Sequence, residues 1–426
     1  MSLNGERNLL RYCAIIGGES VKNICEKDKC SGCNACLNVC GKNAVKRVMT
    51  VRGEEVNVID EECCVECGLC KKVCPQNSES FLNAPKFCFA AWSVNNCTRA
   101  KSASGGVATE LYKWAIKHDM WISGVRMTDD LFAEHYFTKD FEALSDFQNS
   151  KYVYSDTKYV FNQISKKLMN DESALFVGLP CQCDALKAVC NVEHISTKKL
   201  YIIDLVCHGT APQTYLKEHV SAIELKKKKK ADKLFFRDPD TDTYTYTFTL
   251  KNKGKPFYRK RIDRNDYYQI GYHKGIIYRE NCYSCKYAQQ NRTGDLTLAD
   301  FSYVGMEAPC SYDNKNVSCV LVNTGKGKEL LNEVAKEYQV YIEERPMQEE
   351  MKYEHMLHAP TAKPQERVLF EKSYVEDQVE FEEAMRTACR NIALKNELRY
   401  YLHVRDLKRS ISRMVPSKLK IALRKK

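Results

Sequence analysis

Cysteines in two tight runs carry the most specific chemistry in this sequence. Cys30-x-x-Cys33-x-x-Cys36-x-x-x-Cys40 is followed, after a short spacer, by Cys64-x-x-Cys67-x-x-Cys70-x-x-x-Cys74-Pro75. Three thiolates spaced in this way wrap one face of a 4Fe–4S cubane, and the fourth crosses to the neighbouring cluster. The spacing therefore groups Cys74 with Cys30, Cys33 and Cys36, and Cys40 with Cys64, Cys67 and Cys70. The alternative, a pair of structural zinc sites, calls for well-separated Cys/His pairs rather than cysteines packed this densely. Gly32, Ala35 and Gly68 are small residues inside the loops, where backbone N–H groups must approach sulfide. Gly41 stands where proline usually follows the fourth cysteine. Cys25 and Cys63 fall outside the pattern and read as spare thiols.

Four later cysteines form a looser constellation. Cys181 and Cys207 each follow an apolar stretch, and Cys282-Tyr-Ser-Cys285 is a chelating pair in a loop. Together they could ligate a third cluster. They could equally be two buried small hydrophobes and a bare thiol pair, since free cysteine is often buried for packing alone. Ser104-Gly105-Gly106 opens a helical pattern, where N–H groups can approach an anion such as a cofactor pyrophosphate. Lys151, within an amphipathic strand pattern from Ser150 to Ser155, could meet a phosphate or a flavin ring. Gly294 to Asp300 alternates like a strand, and Asn323-Thr-Gly-Lys-Gly327 caps a following helix. Turns and caps account for these segments as well as binding does.

The elements that must position these residues begin after Pro85, where strand and helix patterns alternate. Ser173 to Gly178 reads as an apolar strand, with a helix from about Asp184. Leu200 to Val206 reads as another, with a helix from about Pro212. Both set a cysteine just beyond a strand's carboxyl end, where open α/β sheets place their sites. Ser104 is positioned to cap the helix that carries Val107, Leu111 and Trp114 on one face.

A chain of 426 residues allows two or three domains, and its 44% hydrophobic content supports a sizeable core. Clustered cysteines, 22 in all, favour metal or redox chemistry over disulfides in a chain of this length. No apolar run reaches membrane-spanning length, and Met1 to Ser20 lacks a secretory pattern, so the expected location is the cytoplasm. The net charge of +11 is concentrated at the end, where Leu398 to Lys426 hold ten Lys/Arg against one Asp. The remainder is nearly neutral, which argues against specific nucleic-acid binding. Residues 398–426 read either as a solvated basic end or as a helix resting on anionic lipid at the inner face of the membrane. The interruption at Pro416 favours the former.

Taken in order, these segments resemble the ferredoxin-fused form of the coenzyme F-420 (deazaflavin) hydrogenase/dehydrogenase beta-subunit family. The resemblance rests on Ala90-Ala-Trp, Ser104-Gly-Gly, Ser150-Lys-Tyr-Val, Phe176-Val-Gly-Leu-Pro-Cys-Gln and Asp204-Leu-Val-Cys-His-Gly. It continues through Cys282-Tyr-Ser-Cys285, Gly294-Asp-Leu-Thr-Leu-Ala-Asp-Phe301 and Leu321-Val-Asn-Thr-Gly-Lys-Gly327. It implies an α+β chain: a two-cluster ferredoxin-type domain (20–84), a flavin-contacting region (85–170), a region holding flavin and a third cluster (171–345), and a helical basic tail (346–426). It also implies FAD, with Cys181, Cys207, Cys282 and Cys285 as cluster ligands. Ser104, Gly105, Gly106, Lys151, Tyr152, Gly178, His208, Asp300 and Asn323 become flavin contacts under the same reading.

The expected function is an oxidoreductase working between ferredoxin, or another one-electron carrier, and a small two-electron organic substrate. A non-catalytic electron carrier and an accessory redox protein of surface-polysaccharide synthesis are the alternatives. No residue declares itself as an acid or base, so no catalytic residue is assigned. Nothing in the sequence identifies a deazaflavin site.

Overall fold

The computed structural model describes residues 21–337 and 339–402. Of the basic segment 398–426, residues 403–426 lie outside the described residues, and so do both readings of it, the solvated end and the lipid-bound helix.

The N-terminal module is a small antiparallel sheet of β1 (Val21–Asn23), β2 (Val45–Met49) and β3 (Glu55–Asp60), in the order β1-β3-β2. Two one-turn helices, Ala35–Val39 and Leu69–Val73, follow the cysteine loops. Each is entered through a residue in the left-handed region, Asn34 at φ 62° and Gly68 at φ 75°. Its apolar residues are few: Ile24, Ala35, Val45, Ile59 and Val73 form one core with Phe161, Ile164, Phe176 and Leu186 of the body. A module this small cannot bury enough surface alone, so it borrows its core from the body.

The body is built on one eight-stranded sheet. Its strands are β4 (Phe87–Ser93), β5 (Trp121–Met127), β6 (Ala133–Thr138), β7 (Ala174–Gly178) and β8 (Leu200–Leu205). After three strands that pair elsewhere, β9 (Lys233–Phe235), β10 (Thr247–Asn252) and β11 (Lys255–Arg261), come β12 (Leu296–Asp300), β13 (Ser318–Val322) and β14 (Val340–Arg345). The order is β14-β4-β13-β12-β8-β7-β5-β6, with β12, β8, β7 and β5 parallel neighbours and the other pairs antiparallel. Residues 85–170 and 171–345 thus contribute strands to the same sheet and form one folding unit. Every residue of β7 and β13 is buried, as expected of strands covered on both faces. Helices Val107–Lys117 and Gly325–Lys336 cover one face, while Val160–Met169 and Pro180–Val192 cover the other.

The excursion between β8 and β12 builds a second core. Helix Gln213–Lys227, the β11-β10-β9 meander and helix Tyr267–His273 enclose Tyr215, Phe236, Phe248 and Tyr268. The helices Gln365–Glu371 and Phe381–Ala388 close that core with Phe370, Phe381 and Met385. Residues 347–402, as far as the described segment runs, hold helices and no strand, and the first of them are structural parts of the body.

Three local expectations are corrected. Ser150–Ser155 is an irregular segment rather than a strand, tied down through Tyr154 N–H to Ala211 O at 2.8 Å. Ser104 does not cap the helix: Gly106, at φ 82°, is the N-cap, and the Ser104 hydroxyl donates to Val317 O at 2.8 Å. The helix carrying Cys181 starts at Pro180, four residues ahead of Asp184, because proline is suited to a helix's first position. Among the described residues, no helix is long and apolar enough to cross a membrane.

Candidate functional site

Docking of the N-terminal module fixes where its thiols lie. Asn34, buried, donates from Nδ2 to Asp156 Oδ1 at 2.8 Å and accepts from Asn57 Nδ2 at 3.0 Å. Thr157 donates to Cys33 O at 2.9 Å, and Asn38 Nδ2 donates to Lys158 O at 2.8 Å. The first cysteine run is thereby pinned to segment 156–158 of the body.

Cys30, Cys33, Cys36 and Cys74 gather at this junction, three of them buried. The Cys25 thiol, read from sequence as a spare, hydrogen-bonds both Cys30 and Cys74 and holds both below the usual thiol range, Cys30 at about 6. Burial instead pushes Cys33 up to about 12 and Cys36 well above its ordinary value. Such thiols stay protonated unless a cation joins them, which is the condition iron ligation meets.

Cys40, Cys64, Cys67 and Cys70 line a separate hollow of about 390 Å³ with Gly41 and Gly68. Ala44 N–H points at Cys40 Sγ at 3.3 Å, and Glu66 N–H points at Cys64 Sγ at 3.4 Å. Backbone donors aimed at sulfur stabilise a thiolate and tune any metal it holds.

In the body, Cys181, Cys207, Cys282 and Cys285 line one pocket of about 650 Å³, its open mouth included, together with His208 and Arg279. Cys181 opens the helix after β7, Cys207 stands two residues beyond β8, and the 3-10 turn Glu280–Ser284 brings in the other two. Burial raises Cys207 to about 12 and Cys282 to about 11, and lifts Cys181 and Cys285 in the same direction. Among the described residues no three His, Cys, Asp or Glu side chains converge tightly enough for a single metal ion. A cubane asks for something different: thiols standing apart around a volume that the cluster itself fills. In the two hollows the donor set is four sulfurs, which fits that requirement.

Gly32 shows how close the junction is. It sits at φ +68°, and a Cβ there would lie 3.1 Å from Arg279 Nη2 and 3.3 Å from the Tyr154 hydroxyl. Gly32→Ala is expected to destabilise the chain by about 1–3 kcal/mol and to lower its iron content. Anaerobic urea unfolding checks the first effect; an unchanged midpoint would show that the junction yields without cost.

The remaining candidates are spread along the sheet. Gly178, Cys207, Asp300 and Ser104–Gly106 share the end of the sheet where β7, β8 and β12 terminate. Asn323 is at the opposite end, donating to Gly294 O and Thr297 Oγ1. Gly105 packs against Ala91 O and Ser318 of the neighbouring strands, and Gly178 against the Phe176 ring. His208 is exposed beside Glu354, 3.9 Å away. Lys151 donates from Nζ to Asp146 O, Gln148 O and Asn149 O, and burial pulls it down to about 7.

Tyr152 and Asp300 meet at a residue the sequence reading missed. Arg237, buried, donates from Nη1 to Asp300 Oδ2 at 2.8 Å and to the Tyr152 hydroxyl at 3.4 Å. Its guanidinium lies 4.7 Å from the Tyr246 ring centroid, and Tyr152 stacks on Tyr272 at 4.5 Å. His273, which burial holds down at about 4, meets the edges of Tyr152 and Tyr246. Among the described residues, Arg237 Nη2 and His273 Nε2 are both buried with no hydrogen-bond partner. Aromatic faces with spare donors suit a flat heteroaromatic ring bearing carbonyl oxygens. The only sequence signals were a lone arginine after β9 and the alternating tyrosines of Tyr244-Thr-Tyr246.

Residues 171–350 match the family model that describes the C terminus of the beta subunit of coenzyme F420 hydrogenase/dehydrogenase. Among solved structures, a chain of the F420-reducing [NiFe] hydrogenase complex from Methanosarcina barkeri, studied by xenon derivatization, is 15% identical. The alignment covers 62% of this chain and 83% of that one at a TM-score of 0.43, a likeness too loose to carry an argument. No curated protein matches the chain.

Proposed function

Because residues 171–350 place the chain in the coenzyme F420 hydrogenase/dehydrogenase beta-subunit family, we propose that it is an iron–sulfur flavoprotein oxidoreductase. It would pass electrons between a one-electron carrier, ferredoxin or similar, and a two-electron organic substrate. The observation that carries this reading is the pocket of Cys181, Cys207, Cys282 and Cys285 inside the matched region. The same donor chemistry at Cys40, Cys64, Cys67 and Cys70 supports a ferredoxin-type N-terminal module. When bound, flavin can accept two electrons at once as a hydride and release them singly, and iron–sulfur clusters carry single electrons, so the two together would convert one kind of transfer into the other.

The chain's own residues would do the positioning. Cys30, Cys33, Cys36 and Cys74 would hold one cluster, Cys40, Cys64, Cys67 and Cys70 a second, and the body cysteines a third. Tyr152, Tyr246 and Tyr272 would offer aromatic surface to the flavin ring, with Arg237 and His273 donating to it and Asp300 orienting Arg237. Ser104, Gly105, Gly106, Lys151, Gly178 and His208 border the same end of the sheet.

The test is composition. Chain purified without oxygen is expected to carry about twelve irons, because each cubane contributes four, with matching sulfide and one flavin. About eight irons without flavin would leave only a ferredoxin-type carrier and would end the enzyme reading.

A further inference from the structure

Arg279 lies where the N-terminal module meets the body and is 1% exposed. Its Nη2 donates to Glu55 O at 2.9 Å and to Cys30 O at 3.4 Å, and its guanidinium sits 4.5 Å from the Tyr154 ring centroid. The same side chain lines the pocket of Cys181, Cys207, Cys282 and Cys285. It therefore touches the backbone of one thiol set and the wall of another. Those sets are neighbours, because Lys29 and Ser31, on either side of Cys30, and Gln76, two residues after Cys74, line that pocket too.

The charge of Arg279 has no contact partner to match it. It forms no ion pair among the described residues, and its Nε has no hydrogen-bond partner. Glu54 is the acid it feels most, but Glu54 is engaged with Glu280 N–H at 2.8 Å and with Arg52 at 3.7 Å. A guanidinium removed from water without a contacting anion is costly. A cubane ligated by four thiolates carries net negative charge, and more when reduced. Two such clusters, one on each side, would supply what the protein leaves out.

Resting on the proposed three-cluster reading, we propose that Arg279 is the shared countercharge of two clusters, those of Cys30/Cys33/Cys36/Cys74 and Cys181/Cys207/Cys282/Cys285. It raises the reduction potential of both. In the step it serves, one electron leaves one cluster, which is oxidised, and enters the other, which is reduced. No bond breaks and no proton moves. Because the cation stands between them, it stabilises the electron on either side and keeps the exchange nearly level.

Potentiometry followed by electron paramagnetic resonance on the anaerobic full-length protein tests this. Arg279→Met is expected to weaken reduction of those two clusters at least tenfold, a fall of about 59 mV for a one-electron couple. Arg279→Lys should hold them near the parent values. The cluster of Cys40, Cys64, Cys67 and Cys70, whose hollow Arg279 does not line, should stay in place. Unchanged midpoints at full iron content, or an equal fall of all three, would overturn the proposal. Should Arg279→Met fail to load iron, Glu54→Gln decides, since it removes the charge opposing Arg279 and must raise the same two midpoints. No rise overturns the proposal. A parent protein without clusters would instead sink the reading beneath it, a result seen before any variant is made.

Discussion

Cys40→Ser is expected to remove the cluster of the second cysteine run while sparing that of the first, although Cys40 belongs to the first run in sequence. The fold carries Cys40 across to a hollow shared with Cys64, Cys67 and Cys70, while Cys74 returns to the side of Cys30, where the Cys25 thiol bridges them. A serine hydroxyl keeps the shape but is a poor iron ligand. The variant should therefore lose about four irons and one paramagnetic signal. Cys74→Ser should lose the other signal. Iron assay with redox-poised spectroscopy of the two variants checks the pairing. Loss of the same signal from both would mean that the runs do not exchange their fourth ligands.

His219 governs the second large effect, on stability rather than composition. It lies on the inner side of helix Gln213–Lys227, with Nε2 3.3 Å from Asp266 Oδ2 and Nδ1 against Glu382. Burial opposes its charge, but the two carboxylates outweigh burial and raise it to about 10. An unfolded histidine titrates near ~6.5. The stabilisation is thus complete below that pH and is lost as the pH rises through about 10. His219→Gln leaves Asp266 buried without its cation and should cost about 3–5 kcal/mol. Urea unfolding at neutral and alkaline pH should show the gap between parent and variant closing as pH rises. A gap that stays constant would mean that His219 is neutral in the fold. Since Glu382 belongs to helix Phe381–Ala388, the same loss should loosen the helices that close the second core.

The sequence was most readable where chemistry is local. Cys30 to Cys40 and Cys64 to Cys74 are grouped by spacing alone, because a cubane's ligands lie within a few residues of one another. β7 and β8 were legible as apolar runs because most of their residues are buried, and β12 by its alternation. Cys181, Cys207 and Cys282 share a pocket only because parallel strands bring distant chain segments side by side. Arg237 and Arg279 were illegible for the same reason: a buried arginine is defined by what surrounds it, and nothing nearby in sequence marks it. Ser150–Ser155 misled because its alternation reflects contacts with different neighbours rather than strand pairing. Ser104 misled because its hydroxyl found Val317 O before it could serve the helix.

The seam through Asn34, Asn38 and Thr157 also limits how the N-terminal module can work. Many modules that relay electrons hang on a tether and swing between docking points. Here Asn34 is buried between Asp156 and Asn57, and the core on one side of the seam is continuous with that on the other. Detachment would expose that core and break the buried hydrogen bonds together. Any redox groups in the two halves would keep a single spacing through every turnover. Throughput across the seam would then depend on tunnelling distance and not on a swing, so solvent viscosity should leave it untouched.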